Sequence, residues 1–108
     1  MNFPEERAAR NEALFREVNE QVRRLSRPQP PLQPELTIVC ECSDEQCTER
    51  VSLPLSVYEA VRTHPRRFVV VEGHDNNFES VVERFDGYAV VEKEGQAGRI
   101  AERTDPRA

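Results

Sequence analysis

All three cysteines of the chain fall within nine residues, VCECSDEQC from Val39 to Cys47, with the spacing C-x-C-x4-C. No other feature restricts the fold as tightly. Side chains one residue apart at the end of a strand point to the same face, so Cys40 and Cys42 converge. Cys47 then closes the loop SDEQ and brings a third thiol to the same place. Zinc takes four tetrahedral sulfur and nitrogen ligands, so such a strand-turn needs one more.

Two histidines are available, His64 and His74. His74 follows the apolar run RFVVVEG in a Gly-His-Asp turn, where Asp75 or a backbone carbonyl could orient its second ring nitrogen. His64 precedes Pro65 at the end of an expected helix and suits solvent. The expected metal site is therefore Cys40, Cys42, Cys47 and His74, with His64 the alternative fourth ligand. The expected cofactor is zinc in a structural role, because a closed set of four leaves no position for a reacting group. Unliganded core thiols and redox-active thiols are the competing readings.

The compartment weighs toward metal. MNFPEERAAR shows no basic segment followed by an apolar run, and no stretch approaches the about 20 apolar residues that span a bilayer. The reading is a cytoplasmic protein with no membrane association. In a reducing cytosol, clustered cysteines bind metal or do redox chemistry in preference to forming a structural disulfide, and three leave one over. With 37% apolar and 32% charged residues in 108, the core of this single domain has little margin. A structural zinc contributes on the order of 10 kcal/mol to folding, enough to be decisive.

The expected class is α+β: an N-terminal amphipathic helix, a Pro-rich linker, and a small mixed β-sheet domain with one or two short helices and a zinc-ribbon-like loop. Residues 1–27 read as the helix, with Pro4, Glu5 and Glu6 suited to its start and Arg23 and Arg24 to its end. Ala8, Asn11, Phe15, Val18, Val22 and Leu25 recur at threes and fours, and Leu14 widens the stripe. Four prolines mark residues 28–35 as an extended connector that displays the helix away from the body. The body, 36–94, reads as strands LTIVCEC and Thr48–Leu53. A helix follows Pro54, opened by a Ser56/Glu59 capping box, and then the strand RFVVVE. Phe78, Val81, Val82 and Phe85 share a helical face, so 78–84 reads as a short helix before a strand from Tyr88 to Lys93. The alternative there is a hairpin turning at Asp86-Gly87. Residues 95–108 read as a flexible tail.

Charge excludes one class of partner. Net charge is −5, and residues 35–108 carry nine basic against fifteen acidic side chains, which repels phosphate backbones. No nucleic-acid binding is expected. Arg62, Arg66 and Arg67 read as a solvated rim paired with acids.

The C-x-C-x4-C spacing is similar to that of the post-SET zinc segment, a likeness of spacing alone. The stretches RNEALFREVNEQV, CECSDEQCTERVSL, PRRFVVVEGH and GYAVVEKEG together resemble a family of small bacterial proteins of high-GC Gram-positive type. The resemblance implies a shared architecture and supplies no mechanism. In that family the position of His74 is usually histidine and that of His64 commonly is not, a resemblance that favours His74 over His64 as ligand. The longer proline connector and Asn76-Asn77 depart from the family pattern.

Three functions follow. The first is a non-catalytic, zinc-stabilised interaction or regulatory module whose helix docks on a protein partner, or on itself, through Leu14, Phe15, Val18, Val22 and Leu25. The second is a zinc-thiolate redox sensor. The third, an enzyme pairing Cys42 or Cys47 with His64 or His74, lacks any recognisable phosphate loop, metalloprotease motif or nucleophile elbow.

Overall fold

The computed structural model describes residues 4–26 and 35–107. Helix α1 (Pro4–Leu25) is followed by strands β1 (Glu35–Val39) and β2 (Arg50–Pro54), helix α2 (Leu55–Arg62), strands β3 (Arg67–Val71), β4 (Glu79–Arg84) and β5 (Tyr88–Lys93), and helix α3 (Gly95–Arg103). The α+β expectation holds. The sheet is not mixed, however: β1 and β2 form one antiparallel pair, and β3-β5-β4 form a separate antiparallel sheet. The connector expected at 28–35 lies almost wholly outside the described residues, and its last residue, Glu35, opens β1.

Alternation explains the layers. On β3 and β5, Val69, Tyr88 and Val90 face Leu36, Ile38, Val51, Leu53, Tyr58 and Val61 of the β1–β2 hairpin and α2. The intervening residues Phe68, Val70, Ala89 and Val91 face the opposite way, toward Cys40, Cys42 and Ala101. Each three-stranded sheet face thus meets a different layer, as the two-residue period of a strand requires.

Three expectations change. Residues 78–84 are not helical: β4 runs Glu79–Arg84 and pairs with β5 through the Asp86-Gly87 hairpin. A bulge at Val82 breaks the strict alternation there, which is why the apolar spacing imitated a helix. Residues 95–103 are not a loose tail either. Ala97, Ile100 and Ala101 of α3 are buried, with Ala97 and Ile100 packed on Ala9 of α1, and Glu5 accepts a hydrogen bond from the Ala97 N–H. Gly98 permits the fit, since a Cβ there would meet the Arg66 guanidinium and stand 3.0 Å from the Lys93 carbonyl oxygen. Finally, α2 starts at Leu55 with Pro54 at its N-cap, without the expected Ser56 side-chain cap.

The largest correction concerns α1, which lies against the body and α3 instead of standing apart. Its buried face is Ala9, Glu12, Ala13, Arg16, Asn19 and Glu20, not the apolar seam. Each polar member has a partner. Lys93 Nζ donates to Glu12 and to Glu79. Arg16 donates to the carbonyls of Pro65 and Ala101 and stacks 4.3 Å from the Phe68 ring centroid. Glu20 pairs with Arg62 at 2.7 Å and Arg107 at 2.6 Å. These contacts replace much of the lost water, which makes burial of the charges tolerable, although Glu12 Oε1, Arg16 Nε and one terminal nitrogen of Arg62 are buried without a partner among the described residues. Arg62, expected on a solvated rim, is therefore buried between Glu20 and Asp105, while Arg66 and Arg67 pair with Glu102 and Glu92.

A candidate metal centre

Backbone hydrogen bonds build the site from its edges. Beyond β1 and β2 the hairpin ladder continues, Cys40 N–H donating to the Glu49 carbonyl at 3.0 Å. Asp44 turns the loop: its side chain accepts from Gln46 N–H and its carbonyl from Cys47 N–H. After β3, His74 N–H donates to the Val71 carbonyl at 2.9 Å, closing a turn whose third residue is Gly73 at φ 88°. A positive φ at that turn position favours glycine, so Gly73 is what lets the imidazole swing back toward the cysteines.

The four predicted ligands meet. Sγ of Cys40, Cys42 and Cys47 and a ring nitrogen of His74 all lie within 4.8 Å of one another. Cys40 Sγ is 3.6 Å and Cys47 Sγ 3.7 Å from His74 Nδ1. Zinc at about 2.3 Å from sulfur and about 2.0 Å from nitrogen sets tetrahedral sulfur–nitrogen edges of about 3.5 Å. Both measured edges match, and contraction by about 1 Å at most, within reach of side-chain rotation, closes the rest of the cage. His64 is elsewhere. It is exposed beyond α2 and lines a small cavity of about 290 Å³ with Arg67 and Phe85.

The four donors lie close enough together to hold a cation. Burial pushes the thiols of Cys40 and Cys42 upward from their ordinary range, and neighbouring sulfur adds to it. For Cys40 the Val71 N–H, 3.1 Å from Sγ, opposes the shift. An N–H aimed at sulfur suits a thiolate, and a divalent ion, when bound, would supply the remaining charge that deprotonates such a cluster.

Residues the sequence reading passed over hold these ligands in place. His74 Nε2 lies 3.6 Å from Glu49 Oε2, so Glu49, not Asp75, is the acid beside the second ring nitrogen. Glu41, between the two buried cysteines, is fully buried. One of its carboxylate oxygens accepts from Val69 N–H at 2.8 Å and the other from Asn19 Nδ2 at 2.7 Å. Its own N–H donates to the Val69 carbonyl. The Cys40–Cys42 segment thereby covers the free edge of β3. Asn19 also brackets Val39, accepting from its N–H and donating to its carbonyl, while Asn11 donates to the Cys42 carbonyl at 3.3 Å. Two asparagines on one helix, eight residues apart, were the available signal for a helix facing backbone instead of apolar side chains.

The expected partner face divides. Leu14, Val18 and Leu25 are exposed, Phe15 is half-buried, and Val22 packs partly against the hairpin core. Among the described residues no helix is long and apolar enough to cross a membrane. Comparison with protein-family models, with curated proteins and with solved structures finds no match for the chain.

Proposed function

We propose that this chain is a non-catalytic interaction module whose fold is held by one structural zinc ion on Cys40, Cys42, Cys47 and His74. The observation that carries the reading is the meeting of three sulfurs and one imidazole nitrogen within 4.8 Å, drawn from one loop of each of the two sheets. Soft thiolates with one imidazole suit zinc over the hard cations that oxygen ligands select. When bound, the ion supplies a crosslink between the β1–β2 hairpin and the turn after β3. The chain's own residues orient that crosslink: Glu41 and Asn19 fix the segment carrying Cys40 and Cys42, and Glu49 stands 3.6 Å from the second ring nitrogen of the imidazole. Four protein donors leave no coordination position for a substrate, which supports a structural over a catalytic role.

Metal analysis of the purified protein and three variants tests this. One equivalent of zinc is expected in the parent and in His64→Ala. Cys42→Ser and His74→Ala should retain much less and unfold at lower denaturant. Equal zinc in parent and His74→Ala, or none in the parent after expression with zinc, would refute the assignment. The redox-sensor reading draws support from the half-exposed Cys47, but Cys40 and Cys42 are buried, which protects thiolates from oxidants. The interaction role falls to the apolar side chains that α1 presents to solvent.

A further inference from the structure

The outer face of α1 carries three of the four exposed large apolar residues of the described chain, Leu14 at 59%, Val18 at 40% and Leu25 at 81%; the fourth, Val82, stands apart on β4. With Gln21 they stand at positions 14, 18, 21 and 25, the alternating spacing of four and three that keeps a seam facing a second helix. Phe15 and Val22 flank the seam on one side. Glu17 and Arg24, both exposed, flank it on the other.

We infer that a second copy of this chain covers this face, the two α1 helices packing antiparallel with Leu14 of each against Leu25 of the other. Side-chain chemistry selects the register. With the two-fold axis level with Asn19 and Glu20, Leu14 meets Leu25 and Val18 meets Gln21. In that register Phe15 also lies beside Val22 on the apolar flank, and Glu17 beside Arg24 on the charged one. Each contact occurs twice, as an isologous interface requires. Sliding by half a heptad sets Glu17 against Glu17 and Arg10 against Arg24. Sliding by a full heptad sets Leu14 against Asn11 and Val18 against Arg7. A parallel pair aligns Arg7 with Arg7 and leaves Glu17 beside Val22. Only the first arrangement satisfies apolar and charged positions together. Leu14 also stands on the lip of a groove of about 910 Å³ between α1 and the Ser43–Gln46 loop, so the Leu25 end of the second helix comes to rest there.

The inference deepens the interaction half of the reading above and rests on nothing at the metal site. About three turns per copy is a small contact, so the dimer is weak, with Kd on the order of 100 µM. Sedimentation equilibrium of the full-length zinc-loaded chain from about 10 µM to about 1 mM brackets that value. A monomer–dimer equilibrium is expected. Leu14→Glu and Leu25→Glu should abolish it, with circular dichroism unchanged because both positions are exposed. Glu17→Arg should weaken it about tenfold, and the swap Glu17→Arg with Arg24→Glu should restore it. A monomer at every concentration, a dimer indifferent to the leucine changes, or a swap that fails to rescue would each overturn the pairing. Because zinc is measured separately, a zinc-loaded monomer would overturn the pairing and leave the metal assignment standing.

Discussion

Glu12→Gln should make the protein's stability less dependent on pH, and the reason lies in a buried triad. Lys93 Nζ sits between the carboxylates of Glu12 and Glu79, and none of the three side chains has exposed surface. Fully ionised, the group would hold a net negative charge in the interior. Burial, opposed by Lys93 and reinforced by Glu79, pushes the Glu12 carboxyl up to about 9 from an ordinary value near 4.5. Between those values the folded chain holds a proton that the unfolded chain has released, so stability falls as pH rises. The slope is at most about 1 kcal/mol per pH unit, and the loss accumulated by neutral pH at most roughly 3 kcal/mol. Glutamine keeps the shape and removes the proton. Urea unfolding of zinc-loaded parent and variant at about pH 5.5, 7 and 8.5, across the window the Glu12 shift defines, gives the comparison. The difference between variant and parent should grow in favour of the variant with each step. Ligand titration at the metal site is common to both proteins and cancels. Parallel profiles would show that Glu12 is ionised in the fold and refute the reasoning.

Removing the cation of that triad instead, Lys93→Met, should cost about 3–5 kcal/mol in denaturant unfolding, because two buried carboxylates lose the ammonium they share. Phe68→Ala should cost a similar 3–5 kcal/mol, since the ring is fully buried beneath Arg16 and beside the cysteine layer. A smaller loss, about 1–2 kcal/mol by thermal melting, is expected for Gly98→Ala, where the added methyl crowds the Lys93 carbonyl. Glu41→Ala should lower zinc affinity about tenfold or more in a chelator competition, by freeing the backbone that carries Cys40 and Cys42. Unchanged affinity would mean that the segment needs no such anchor.

The cysteine cluster was legible because its signature is one-dimensional: C-x-C-x4-C commits three thiols to one turn whatever the rest of the chain does. His74 was legible for a related reason, since a Gly-His pair just after an apolar strand places a ring at a sheet end. Glu49 was not, because its approach to His74 depends on the β1–β2 hairpin continuing past its last paired strand residue. The face of α1 was misread for a physical reason. Its core-facing positions are Glu12, Arg16, Asn19 and Glu20, each compensated by a partner from a distant element, while its apolar seam faces out. Hydrophobic periodicity has no means of registering a charge whose partner lies 81 residues away, as Lys93 does from Glu12. Helix α3 was missed because two glycines and a short length hid the Ala97, Ile100 and Ala101 face. At Val82 a single bulge converted strand spacing into apparent helix spacing.

X-ray absorption at the zinc edge tests the central claim most directly, because it reads the donor atoms themselves. The account predicts three sulfurs at about 2.3 Å and one nitrogen at about 2.0 Å in the full-length protein. A first shell of nitrogen and oxygen alone, or of fewer than three sulfurs, would contradict it.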